Sequence, residues 1–469
     1  MERIEGTITA VSDWLWGFPL ILLLAFAGVF LTVRLGFIQF RYPIYTFRQT
    51  IGRAFSRRAG ASAGSGTISP LQSLTTALAS TVGAANIVGV PVAIMFGGPG
   101  AVFWMWMIAL IGMATKFAEC TLGVRYRERN EAGEYVGGPM YYITRGLGMR
   151  WLGVWFAVAF ALEIVPSVMV QGNSVASSAS ETFGLPPFAG GLLVMVIVGA
   201  VVIGGIKRIG TVTAGLVPLM AGIYLLGAGL VIIANFRQVP EVVALIFSHA
   251  FQPVAAAGGF GGAVVAEALR WGFARGLYSN EAGLGTAPIA HAAATTDHPV
   301  RQGLWAMTSV VFDTLIICSA TAFVVLSSGV WNDEGAEGNA EALTTLAFTE
   351  HLGPMGGYLV SVCLIFFVVS TIIVVIHYGE KQIEFLFGLR PASLLKYVYV
   401  AAILVGAVGG GRFIWSLLDI MLAAMLIPNI IALLLLSSEV RRLMNEFFKG
   451  EKYYLKDTGR VPERPEQDG

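Results

Sequence analysis

The chain has 469 residues, of which 56% are hydrophobic and 13% charged, with a mean hydropathy of +0.72. Soluble chains carry roughly 25% charged residues, so the charges here are too few to coat three soluble domains of ~150 residues each. Thirty basic against 29 acidic residues exclude a polyanion binder, and no nucleic-acid partner is expected.

A spanning helix needs about 20 mostly apolar residues. Such runs fall near 14–36, 70–97, 100–124, 151–180, 188–206, 212–234, 260–284, 302–330, 357–378, 394–411 and 413–437. They predict an all-α polytopic membrane protein with about 11 transmembrane helices, surrounded by a lipid bilayer. The 57 glycines agree, because Gly is more frequent in membrane helices than in soluble ones. The first run, Trp14 to Leu35, has acids before it and bases after it. That is the reverse of a cleavable signal, so it reads as a retained helix.

Segment 37–69 carries Arg41, Arg48, Arg53, Arg57 and Arg58 without an acid, and so faces the cytoplasm. Loop 331–356 carries Asp333, Glu334, Glu337, Glu341 and Glu350 without Lys or Arg, and so lies outside. Eleven alternating crossings of the plasma membrane satisfy both assignments. The N-terminus is then outside, and the tail with Arg441, Arg442, Lys449, Lys452 and Lys456 is cytoplasmic.

Two spans differ from the rest. The second reads Ala79-Ser-Thr-Val-Gly-Ala-Ala-Asn86, followed by Gly89 and Pro91. The seventh begins GGFGG at 258–262 and continues RWGFARGLYSNEAGLGTAP from Arg270 to Pro288. Each has small residues, a central Asn (Asn86, Asn280) and a closing Pro. Backbone that leaves a helix at membrane depth lines a cavity or is buried in protein, and paired interrupted helices mark a transporter's binding site. Spans two to six cover about 165 residues and seven to eleven about 180. This predicts residues 70–235 and 258–437 as five-plus-five inverted repeats. Before them lies an N-terminal helix with a basic amphipathic segment (1–69), and after them a tail (438–469). The alternative is that small residues simply permit close helix packing.

Charges inside spans are costly. Lys116 and Glu119, three apart, are expected to pair on one helix face, as are Glu267 and Arg270. Glu163, Asp313 and Asp419 have no neighbour of opposite sign and need partners across helices or an ion path. Ser370 and Thr371 offer hydroxyls in an apolar run, with back-bonding to the preceding turn as the alternative. Gln171, Asn173 and Ser174 follow Pro166 in span four. A broken helix presents N–H groups to a carboxylate and carbonyls to a cation, which suits a zwitterion with a hard monovalent ion. Cys120, Cys318 and Cys363 lie in apolar runs and read as buried thiols. The absence of GxxxxGK[ST] and HExxH motifs leaves no support for an ATP-driven pump or a zinc-dependent enzyme, and no enzyme is expected.

GGPGAVFWMW (97–106), GGPMYYI (137–143) and RGLYSNEAGLGTAPIAHA (275–292) resemble the signatures of the alanine or glycine:cation symporter family, the bacterial and archaeal sodium/alanine carriers. The resemblance covers essentially the whole chain. It implies a LeuT-type fold and transport of alanine or glycine coupled to Na⁺, or in some members H⁺. Val82 to Pro91 is similar to the unwound first core helix of the neurotransmitter:sodium symporters. By that likeness Asn86 binds one Na⁺ beside the substrate carboxylate, with the Thr81 carbonyl. Carbonyls of Ala79 and Val82 with Ser370 and Thr371 form a second Na⁺ site. Substrate-binding positions implied in the same way are Gly83, Ala84, Asn86, Gln171, Trp271, Phe273 and Gly276. A Na⁺-coupled importer of alanine or glycine is therefore expected. An H⁺-coupled symporter is the alternative in the same class, with Glu163, Glu267 or Asp313 as carrier, and an amino-acid-binding channel or sensor is the alternative in another.

Overall fold

The structure is a computed structural model describing residues 2–54, 64–251, 261–333, 340, 342–409 and 412–458. Of the features above, Arg57, Arg58, Glu334, Glu337, Glu341, the start of GGFGG at 258–260 and the end of the tail lie outside the described residues.

The first apolar run is divided. Helix α1 (Glu2–Leu15) stops before Gly17, and α2 (Phe18–Arg34) starts with Pro19 in its first turn, where a missing N–H and a fixed φ are tolerated. Next, Ser69-Pro-Leu-Gln72 starts α3 (Pro70–Thr81) with a capping box. Gln72 N–H donates to Ser69 Oγ (3.2 Å) and Ser69 N–H to Gln72 Oε1 (2.9 Å). The chain leaves the helix at Val82, passes a π-helical turn, Ala85–Gly89, and resumes as α4 (Val90–Gly97). The two halves are bent by 51°.

Helices α5 (Ala101–Arg125), α6 (Arg150–Phe183), α7 (Pro187–Val202), α8 (Gly205–Ala234) and α9 (Val239–Phe251) follow. Helix α10 (Gly261–Asn280) then ends in a turn where Glu281, Gly283 and Gly285 all have positive φ, and α11 (Ala287–Ala292) follows. Glycine supplies left-handed backbone without a Cβ clash, so the AGLG motif itself breaks this helix. The second half continues with α12 (Pro299–Ser328) and α13 (Leu343–Leu352), then α14 (Pro354–Phe387), α15 (Leu389–Val408), α16 (Arg412–Leu435) and α17 (Ser437–Lys449).

Among the described residues, seven helices are long and apolar enough to span a bilayer, and the bent α3–α4 pair makes an eighth. Helices α2 and α7 are apolar but shorter. Large apolar side chains such as Leu226 (71%), Leu230 (61%) and Ile233 (72%) are exposed along α8. A soluble protein does not leave a continuous apolar face of this kind to water. These helices and this face are those of a multi-pass membrane protein.

Helix α6 packs on α14, α15 and α16, while α5 packs on α10 and α12 and α3 on α8 and α14. The broken helices thus lie at the centre. On the side that carries both chain ends of these breaks, residues 65–68 pair with 293–296. Arg127 fastens that closure by donating to the carbonyls of Ala292 (2.9 Å), Ala294 (2.6 Å) and Ser65 (2.7 Å). His298, packed against the stacked rings of Phe447 and Tyr453, is pushed down to about 4 by burial. It is therefore neutral at ordinary pH, and its Nδ1 accepts the Val300 N–H that starts α12. Asp457 in the tail accepts from Tyr45 and Arg301, both at 2.8 Å. The three cysteines are buried free thiols.

Candidate functional site

A cavity of about 90 Å³ lies between α3, α6, α14, α16 and the turn after α10. By that measure a water needs only ~10–15 Å³, so a small solute fits. Its polar lining is Ser80, Thr81, Ser167, Gln171, Ser174, Glu163, Glu281, Thr286 and Thr371. Apolar lining comes from Phe160, Val170, Val375, Trp415, Leu418, Leu422 and Met425. Glu163, Ser167 and Gln171 reach the same wall because they are one helical turn apart along α6.

Of the positions expected from the sequence, Thr81, Gly83, Ala84, Gln171 and Thr371 line this cavity. Ala79, in the last turn of α3, and Val82, which follows that helix, are both buried. A helix end leaves its last carbonyls without an i+4 partner. The Gly83 N–H that would satisfy the Ala79 carbonyl instead donates to Asn86 Oδ1 (2.9 Å). The break thus frees carbonyl oxygen beside Thr371, whose Oγ1 would be 3.0 Å from a Cβ placed on Gly83. Thr371 Oγ1 and Ser370 Oγ both donate back to the Phe367 carbonyl, at 2.9 and 2.8 Å, and Ser370 Oγ also meets Met220 Sδ at 3.5 Å.

Asn86 is fully buried behind the cavity wall. Its Nδ2 donates to Asp313 Oδ1 (2.8 Å), the Asp313 carbonyl (3.2 Å) and Ser279 Oγ (3.3 Å). Asp313 Oδ2 also accepts from Ser279 Oγ (2.5 Å) and Thr314 Oγ1 (2.8 Å). Asp313 sits in a π-helical stretch, Val311–Cys318, of α12, and such bulges are frequent at functional sites. Among the described residues these partners are all neutral, so a buried carboxylate is held by dipoles in a compact cluster of oxygens. Such a cluster can hold a hard monovalent cation.

Trp271, Phe273 and Gly276 do not reach the cavity. Trp271 stacks on Phe96, with centroids 5.0 Å apart, and Phe273 meets Trp104 edge-on at 5.9 Å. Gly276 is the contact of α10 with α5, where a Cβ would fall 2.6 Å from Ile108 Cγ2. Asn173 donates to the Gly406 carbonyl at 3.3 Å.

Lys116 and Glu119 do not face each other as their spacing suggests. Lys116 Nζ donates to the Asn280 carbonyl (2.7 Å), the last carbonyl of α10. Glu119 Oε1 accepts the Gly285 N–H (3.0 Å) and Asn429 Nδ2 (2.6 Å), and Asn429 also donates to the Gly283 carbonyl (2.8 Å). Tyr142 donates to Asn429 Oδ1. A cation therefore sits at one helix end and an anion at the N–H groups leading into the next, the arrangement helix dipoles favour. Asn280 itself closes the turn by accepting the Ala282 N–H (3.0 Å). Glu267 and Arg270 do pair, at 3.5 Å.

Ser279, Thr314, Tyr278, Glu281 and Thr286 are not among the site residues that the resemblance implies. The signal for most of them was present in RGLYSNEAGLGT, whose polar residues cluster at the break. For Thr314 only its position next to Asp313, an intramembrane acid with no sequence neighbour of opposite sign, was available.

The family model described as "Sodium:alanine symporter family" matches residues 1–459. "Uncharacterized transporter YflA" of Bacillus subtilis is 59% identical over 466 residues, covering 99% of this chain and 98% of that protein. "Sodium/alanine symporter AgcS" of Methanococcus maripaludis is 42% identical over 453 residues, covering 95% and 98%. Among solved structures, a manganese transporter of Eremococcus coleocola superposes with a TM-score of 0.51 at 14% identity, covering 83% of this chain and 89% of that one. At that identity the likeness is one of fold.

Proposed function

The chain belongs to the sodium:alanine symporter family, a family of transporters, and from that premise we propose that it imports alanine or glycine together with Na⁺ by alternating access. The observation that carries the reading is the oxygen-lined cavity where the α3–α4 break meets the turn after α10. We assign the cargo to Gly83, Ala84 and Gln171, with its carboxylate toward the N–H groups of the first break. One Na⁺ belongs with Asn86, the Thr81 carbonyl, Ser279 and Asp313. A second belongs with the carbonyls of Ala79 and Val82, Ser370 and Thr371. Contact of Trp271, Phe273 and Gly276 with the cargo requires α10 to turn toward the cavity.

In this reading residues 70–235 and 258–437 are inverted five-helix repeats of a LeuT-type fold with eleven spans, and the N-terminus is outside. The closure fastened by Arg127 is then cytoplasmic. One Na⁺ entering down a potential of 100 mV, inside negative, releases about 2.3 kcal/mol, which supports roughly 40-fold accumulation of a neutral cargo. A second reading, H⁺ as the coupling ion, is favoured by Glu163, a buried carboxylate on the cavity wall.

Thr371→Ala tests the assignment. Loss of one oxygen ligand to a cation is expected to raise the Na⁺ concentration for half-maximal alanine binding about tenfold. Alanine affinity at saturating Na⁺ should stay within about twofold. Na⁺ titrations of radiolabelled alanine binding measure both, and unchanged Na⁺ activation would remove Thr371 from the cation site.

A further inference from the structure

We propose that Glu281 selects the α-ammonium group of the cargo, an inference that rests on reading the cavity as the amino-acid site. The wall holds two carboxylates, Glu163 and Glu281, and among its lining residues there is no Lys, Arg or His. Lys116, behind the break, places its Nζ on the Asn280 carbonyl instead. A carboxylate facing a partly apolar cavity loses hydration, and a ligand ammonium restores a partner of opposite charge.

Glu281 is built for this by the backbone. It follows the last residue of α10 and has φ +55°, one of two non-glycine residues with positive φ among the described residues. Such a conformation costs energy and persists where surrounding structure enforces it. It turns the carboxylate out of the helix and into the cavity. Oε2 accepts from Thr286 Oγ1 (2.5 Å) and Ser80 Oγ (3.5 Å). Oε1 takes part in neither bond. Thr286 and Ser80 come from the two sides of the site, so they fix the orientation of the carboxylate without neutralising it.

The geometry also fits the spacing of the charges on the cargo. Ser80, which touches Glu281, and Gly83, where the first break opens, are three residues apart. In an α-amino acid the ammonium and carboxylate are both attached to the α-carbon, so both ends are reached without stretching the ligand. An acid lacking the ammonium fills the same space but leaves Glu281 desolvated and unpaired, and a buried polar group left unpaired is how a site rejects an analogue.

The test compares alanine with lactate, which keeps the carboxylate and methyl but replaces the ammonium by hydroxyl. Both compete with radiolabelled alanine on the full-length protein in nanodiscs at fixed, saturating Na⁺. Glu281→Gln is expected to weaken alanine about 10- to 100-fold, to leave lactate nearly unchanged, and so to shrink the alanine-to-lactate preference by the same factor. Equal weakening of both ligands, or an unchanged preference, would overturn the assignment. If Glu281→Gln does not fold, Thr286→Val carries the test, because it deletes the hydroxyl that positions the carboxylate. Its preference should fall about threefold or more, roughly the 0.5–1.5 kcal/mol a hydrogen bond contributes, and an unchanged ratio counts against the proposal. Wild-type protein that binds no alanine would overturn the amino-acid reading together with this assignment. Wild-type binding with an unaltered ratio in the variants overturns the assignment alone.

Discussion

Asp313→Asn is expected to raise the Na⁺ concentration for half-maximal alanine binding by more than about 100-fold. The carboxylate is 1% exposed, and Asn86, Ser279 and Thr314 surround it with neutral donors. Asparagine keeps the volume and one acceptor oxygen but removes the charge. Removing one partner of a buried ion pair costs about 3–5 kcal/mol, which sets the expected factor at tenfold per 1.4 kcal/mol. The same argument gives an effect of opposite sign without Na⁺. A buried carboxylate with no cation is a liability, so Asp313→Asn should melt higher than wild type in Na⁺-free buffer. Wild type should gain stability as Na⁺ is added, by mass action on the folded state, and the variant should not. A variant that keeps the full Na⁺-dependent rise in melting temperature would show that Asp313 is no cation ligand.

The second large effect is on the break itself. Lys116 is fully buried, as is Glu119, and the two hold opposite ends of the 280–285 turn through Asn280 and Gly285. Lys116→Met strands the Asn280 carbonyl and leaves Glu119 without a compensating charge nearby. We expect a loss of about 3–5 kcal/mol, read from denaturation in nanodiscs. Adding Glu119→Gln should restore part of it, because the remaining groups are then neutral. Coupled residues in one network show interaction energies of about 0.5–3 kcal/mol. Losses that simply add, within about 0.5 kcal/mol, would mean that the turn is held by its glycines and by Asn429 and not by the two charges acting together.

The sequence carried the membrane character of the chain and both breaks, because each rests on local chemistry. Apolar length marks a span, and Gly with Pro marks where a helix cannot continue. The residues at the first break were legible for the same reason, and the structure sets Thr81, Gly83 and Ala84 on the cavity. What lay beyond the sequence was the meeting of distant residues. Asn86 is 193 positions from Ser279 and 227 from Asp313, and nothing local ties them together. Helix phase was also hidden. In α10 apolar residues occupy several faces, so the pattern did not show that Trp271, Phe273 and Gly276 turn toward α4 and α5. Spacing misled for Lys116 and Glu119, since three residues apart on a helix permits a pair but the broken backbone beside them offered stronger partners. The first span misled in a similar way, because Gly17 and Pro19 divide it.

These assignments converge on a cavity that holds an amino acid and is emptied or filled at the expense of a cation gradient. The most direct test is radiolabelled alanine uptake by the purified protein in proteoliposomes, with Na⁺ and pH gradients imposed separately. The expected result is accumulation above equilibrium with an inward Na⁺ gradient at constant pH, and none with a pH gradient alone. Accumulation driven by the pH gradient in the absence of Na⁺, or fast equilibration without accumulation under either gradient, would contradict it.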